Sequence, residues 1–107
     1  MGQPYQSRTF SGTGTTASIN LDPSIADFKV RVRATVTGTI SYKMQLSMDA
    51  TSATDANAIW WDSTEIPAGT VATDEELINY PVARIRFVIA SGSGSIFVEV
   101  LQGFMVG

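Results

Sequence analysis

"FKVRVRATVTGTISYKMQLSM", residues 28–48, alternates apolar and polar side chains along most of its length. Phe28, Val30, Val32, Ala34 and Val36 fall on one side of an extended chain, and Lys29, Arg31, Arg33 and Thr35 on the other. After Thr37, Gly38 and Thr39 the pattern resumes, with Ile40, Tyr42, Met44, Leu46 and Met48 set against Ser41, Lys43, Gln45 and Ser47. A helix would need its apolar residues three and four apart, so this period of two reads as strand. Each strand then has one face for a core and one for water. Two matched strands around a short glycine turn predict a β-hairpin.

The same grammar recurs on both sides. "VARIRFVIA" (82–90) sets Ala83, Ile85, Phe87 and Ile89 against Arg84 and Arg86, and "SGSG" (91–94) turns it into "SIFVEVLQG" (95–103), a second expected hairpin. At the front, "YQSRTF" (5–10) and "TASINL" (16–21) bracket "SGTGT" (11–15), a third. "DATSATDANA" (49–58) is small and polar, a loop, and "IWWDST" (59–64) reads as a short strand punctuated by "IPAG" (66–69). In "TDEEL" (73–77) Thr73 stands three residues before Glu76, the spacing of a capping box, which predicts one helical turn ended by Pro81.

The sum is an all-β protein of seven to eight antiparallel strands with almost no helix. A single sheet would leave an apolar face wet, so a two-sheet β-sandwich, jelly-roll-like or closed as a small barrel, is expected. With 107 residues and no linker, repeat or low-complexity tract, residues 1–107 read as one domain, with a short N-terminal arm (1–4) and an apolar tail (104–107).

Composition weighs against several functions. Cysteine and histidine are both absent, so there is no thiolate nucleophile, no disulfide and no imidazole base or metal ligand. The net charge of −3 and the pI of 4.6 repel nucleic acid and anionic membranes. The opening residues hold no apolar signal segment, and no run approaches the roughly 20 apolar residues of a membrane span. The expectation is a soluble chain assembled in a cytoplasm, without cofactor, nucleic acid or membrane as partner. Charged residues make up 16%, against about 25% in an average protein, which suits surfaces destined for contact.

Candidate chemistry is sparse. Asp62 with Glu65, or Asp74, Glu75 and Glu76, supply carboxylate pairs, but glycoside hydrolysis needs two carboxyls about 5–10 Å apart across a cleft. "SGSGS" (91–95) is no nucleophile elbow. Asp49 and Asp55 lie six apart without the glycine of a calcium loop, and no helix follows the glycines of "SGTGT". No catalytic, cofactor or metal residues are assigned, and the chain reads as a non-enzyme.

Contact residues are easier to nominate. Lys29, Arg31, Arg33, Lys43, Arg84 and Arg86 all sit on strands, while seven of the ten acids fall between residues 49 and 76. Strand cations ordinarily form the solvated face of a sheet and deter edge pairing. The sharper reading is that a basic sheet face meets an acidic surface on a neighbour. Trp60 and Trp61 must point to opposite faces if extended, and crowding near Pro67 favours Trp60 inward. The outward one caps the sandwich, enters an interface or stacks on sugar. Phe104, Met105 and Val106 follow the last strand and are unfavourable to leave in water.

Four stretches carry a resemblance: "YQSRTFSGTGTTASINLD" (5–22), "YKMQLSMDATSA" (42–53), "WWDSTEIPAGT" (60–70) and "YPVARIRFVIASGSGSIFVEVLQG" (80–103). Taken together they resemble small β-sandwich virion proteins of tailed bacteriophages, above all capsid decoration, or cement, proteins. The resemblance implies a homotrimer or homodimer on the outside of a head, bracing neighbouring major capsid proteins. The "TDEELIN" insertion (73–79), the second tryptophan and the tail depart from that pattern. A phage fibre or receptor-binding module contacting host glycan is the alternative, followed by a carbohydrate-binding module.

Overall fold

A computed structural model describes residues 5–21, 28–49 and 54–102; the arm 1–4 and the tail 104–107 lie outside them. Nine strands follow one another: β1 (Tyr5–Ser11), β2 (Gly14–Thr15), β3 (Ile19–Asn20), β4 (Val30–Thr37), β5 (Ser41–Ser47), β6 (Trp61–Asp62), β7 (Asp74–Ile78), β8 (Arg84–Ser91) and β9 (Ser95–Gln102). They form two antiparallel sheets, and no helix occurs among the described residues. One sheet runs β1-β9-β4-β7; the other runs β2-β8-β5-β6, with β3 also on β8.

The alternation reads out as predicted. Val30, Val32 and Ala34 of β4, Tyr42, Met44 and Leu46 of β5, Ile85, Phe87 and Ile89 of β8, and Ile96, Val98 and Val100 of β9 are buried between the sheets. Each Val, Leu, Ile, Phe or Met among them contributes roughly 1.5–3 kcal/mol by leaving water. Tyr42 is the polar exception. Burial pushes its hydroxyl up to about 12, and it donates to the Ala72 carbonyl at 2.8 Å.

The hairpins are corrected. β4 pairs with β7 and β9, β5 with β6 and β8, and β1 with β9, so none of the three expected hairpins forms. Each glycine turn swings the chain to the opposite sheet instead. β1 crosses to β2, β4 to β5 and β8 to β9, and β6 crosses to β7 by a longer path. Consecutive strands therefore lie in opposite layers except β5 and β6, which pair within one sheet, and if β2 and β3 count as one interrupted strand the connectivity is that of a jelly roll. Crossing lets the apolar sides of two consecutive strands face one another across the core.

The crossings stack at one end. Gly94 N–H donates to the Thr39 carbonyl at 2.8 Å, joining the β8–β9 crossing to the β4–β5 crossing. Gly92, with φ +107°, sits so close to Thr39 and Ile40 that a Cβ would lie 2.3 Å from the Thr39 oxygen.

The expected helical turn is corrected too. Residues 74–78 are the edge strand β7 on β4, where Ile78 and Glu76 point inward. The Thr73 hydroxyl accepts from Val36 N–H at 3.0 Å rather than capping a helix. A local helix signal loses because strand pairing buries Ile78 and extends the sheet.

Candidate functional site: the open surfaces of the sandwich

The two outer faces differ in kind. That of the β2-β8-β5-β6 sheet is closed by the chain's own loop between β5 and β6. Asp55 accepts hydrogen bonds from Arg84 Nη1 at 2.7 Å and Ser18 Oγ at 2.9 Å. Partial burial opposes ionisation of Asp55, but those bonds outweigh it and hold the carboxyl below its usual range. The Trp60 indole N–H donates to the Asp55 carbonyl, and the Arg86 guanidinium lies 4.0 Å from the Trp60 ring centroid. Arg86 Nε also donates to Gln45 Oε1 at 2.8 Å, and Lys43 stands 3.1 Å from the Asp62 carboxylate. Gln45 and Lys43, in that order, lower the Asp62 pKa.

The β1-β9-β4-β7 sheet carries no such cover among the described residues. Its register lays outward side chains in rows across four strands: Tyr5, Leu101, Arg31 and Leu77; then Ser7, Glu99, Arg33 and Glu75; then Thr9, Phe97 and Thr35. Tyr5, Leu101 and Leu77 are 48%, 50% and 52% exposed, an apolar row interrupted by one guanidinium. Glu99 accepts from Arg33 Nη2 at 2.6 Å and from the Tyr5 hydroxyl at 2.8 Å, and these hold its carboxyl below the usual range. Arg31 and Glu75 make a looser pair at 3.5 Å. Tyr5, Leu101, Arg31, Arg33, Glu75 and Glu99 line a shallow, open depression of about 270 Å³.

A second apolar patch lies at the end of the sandwich away from the crossings. Leu46 opposes Trp61; Met48 follows β5 and Ile59 stands two residues before β6, and they are 72% and 76% exposed. Exposed Tyr80 stands beside Trp61, with which its side chain hydrogen-bonds.

The free edges are guarded. Arg8 lies in the core-facing phase of β1, opposite Val98, and its guanidinium bonds the Ser7 carbonyl. On β7, Asp74 Oδ1 accepts from Glu75 N–H at 2.8 Å. Charged residues in an edge strand discourage a further strand from adding.

The nominated residues are thus dispersed. Lys29, Arg31 and Arg33 belong to one outer face and Lys43, Arg84 and Arg86 to the other. No single basic face exists, and five of the six cations engage groups of this chain. The tryptophans are reversed: Trp61 packs against the core cluster, while Trp60 lies outside under Arg86. Trp61 pairs with Leu46, which points inward, and the ladder sets the phase. Phe104, Met105 and Val106 lie outside the described residues.

The carboxylates do not converge on a cleft. Asp62 is paired, Glu65 is exposed, and Glu75 faces Arg31. Glu76 is buried, and the Ser63 hydroxyl donates to it while accepting N–H groups of Glu65 and Ile66.

Burial raises the Glu76 pKa above its ordinary 4.5. A raised folded value means a stabilising contribution that is complete below the unfolded pKa and lost as pH rises through the folded one. Glu76→Gln, which keeps the acceptor for Ser63 without the charge, is expected to melt above the wild type at pH 7. The gap should close as the pH falls toward 4.5 in a series of thermal melts.

Sequence reasoning overlooked Tyr5, Leu77, Leu101, Met48, Ile59 and Tyr80. A signal did exist for some. In "SIFVEVLQ" the inward phase is Ile96, Val98 and Val100, which leaves Phe97 and Leu101 as apolar residues at positions meant for water.

No protein-family model and no curated protein matches the chain. Among solved structures, a subunit of Bacillus endospore appendages, described as a novel family of disulfide-linked pili, is similar in fold. The TM-score is 0.51 at 13% identity, over 95% of this chain and 86% of that one. At that identity the likeness establishes the shared sandwich architecture.

Proposed function

We propose that this chain is a structural virion subunit that works by adhesion and without catalysis: a decoration protein on the outside of a bacteriophage head, bracing neighbouring major capsid proteins. It is assembled in the host cytoplasm and ends on the virion surface as a small homo-oligomer. One observation carries this reading. The molecule exposes large apolar side chains in two separate regions, the Tyr5–Leu101–Leu77 row and the end of the sandwich that carries Met48, Ile59 and Tyr80, and a brace must hold neighbours on two sides. Exposed clusters of large apolar residues ordinarily mark contact sites.

A second reading is favoured by the fold likeness: a subunit of a self-assembling appendage. The similar protein belongs to disulfide-linked pili, whereas this chain has no cysteine, so any filament it forms is held without that bond. The glycan-binding alternatives lose support because Trp60 is engaged by Arg86 on its face and by Asp55 at its nitrogen.

Particle composition tests the proposal. A decoration protein is expected at close to one copy per capsid subunit in purified particles. Tens of copies per particle would indicate a fibre, and filaments grown from the isolated chain would indicate an appendage; either result overturns it.

A further inference from the structure

We propose that the outer face of the β1-β9-β4-β7 sheet is the seat of a twofold-symmetric dimer, in which a second copy covers the depression and its Leu77 packs on Tyr5 at the rim. This rests on the structural-subunit reading and names the partner for one of its two surfaces.

The face is self-complementary. Take a twofold axis parallel to the strands and midway between β9 and β4. Rotation lays β9 of one copy over β4 of the other, and β1 over β7. Residues in one register row then meet residues of the same row. Glu99 stands opposite Arg33, Leu101 opposite the stem of Arg31, and Tyr5 opposite Leu77, each contact occurring twice. Such a reciprocal pattern is the requirement for an isologous interface.

Shape agrees with charge. The depression is lined by Tyr5 and Leu101 but not by Leu77 of the same copy, which stands beside it, half exposed, as an unused knob. The rotation sets that knob against Tyr5, at the rim of the depression. Glu99 already accepts from Arg33 and Tyr5 in its own chain, so the face enters the contact with its carboxylate partnered rather than bare. Guarded edges leave the face, rather than a shared strand, as the route to association.

Sedimentation of the full chain at about 100 µM, where even a micromolar contact is filled, tests this. The wild type is expected at twice its 11.5 kDa. Leu77→Glu sets a carboxylate against Tyr5 and should return the mass to 11.5 kDa with the circular dichroism spectrum of the wild type. Phe97→Glu, in the third row, should do the same, so misfolding of one variant leaves the other to decide. Ile59→Glu, on the separate patch, should stay dimeric. A monomeric or trimeric wild type, a dimer that survives both face variants, or one broken by Ile59→Glu overturns the proposal. A monomer that still decorates particles would sink this inference alone and leave the structural role standing.

Discussion

Gly92→Ala is expected to cost about 3 kcal/mol or more, since the residue needs a backbone few side chains adopt and has no room for a methyl group. At φ +107° its added Cβ would sit 2.3 Å from the Thr39 oxygen and 2.6 Å from the Ile40 Cα, both backbone atoms that cannot swing away. A domain of this size loses roughly 4–8 °C in Tm per kcal/mol, so the midpoint should fall by more than about 12 °C. The matched controls are Gly12→Ala and Gly69→Ala. Both glycines also have positive φ, +81° and +87°, but nothing lies within 4 Å of a Cβ at either. Each should cost only about 1 kcal/mol. Equal losses at all three sites in urea titrations would show that the stacked crossings do not hold the two sheets together.

The second large effect is expected at Asp55. Arg84 is buried, and its guanidinium bonds the Asp55 carboxylate at 2.7 Å. Asp55→Ala takes a carboxylate from a buried cation; losing one partner of a fully enclosed pair costs about 3–5 kcal/mol, and the partial exposure of Asp55 reduces this to about 2 kcal/mol. Arg84→Met should cost less, because Asp55 can turn to water. The loss at Asp55 should also free Trp60, whose indole donates to the same residue's carbonyl, and a red-shifted tryptophan emission would report it. Because the Asp55 carboxyl is held below its ordinary 3.8, the pair's contribution is present above that value. It is lost as the pH falls through the lower folded value. Equal destabilisation by both variants would place the energy in packing rather than in charge.

These two sites show what was legible in the chain. The strand cations were visible as a wet phase, but their partners were not. Arg84 finds Asp55 and Arg33 finds Glu99 across 29 and 66 residues, distances over which no local spacing rule operates. The same holds for the contact surfaces. Phe97 and Leu101 could be flagged as apolar residues in a polar phase, whereas Tyr5, Leu101 and Leu77 become one row only because β9 and β4 lie between β1 and β7. Leu77 was further masked by the Thr73–Glu76 spacing, which favours a helix locally and is overruled once Glu76 and Ile78 turn inward.

By itself the sequence determined where the long strands run and which phase of each is buried, though not β7 or the phase of the tryptophans, and which chemistries are closed to a chain with neither cysteine nor histidine. Alternation and composition are local properties, written residue by residue. Only the tertiary structure decided that three glycine turns cross between layers instead of closing hairpins, that Trp61 and not Trp60 enters the core, and that, among the described residues, one outer face is covered while the other is open. The physical reason is that a strand pattern specifies a face to bury but not the partner that buries it. A turn with a positive-φ glycine can return the chain within a sheet or carry it about 10 Å to the next, and the difference is settled by the packing of all the strands together.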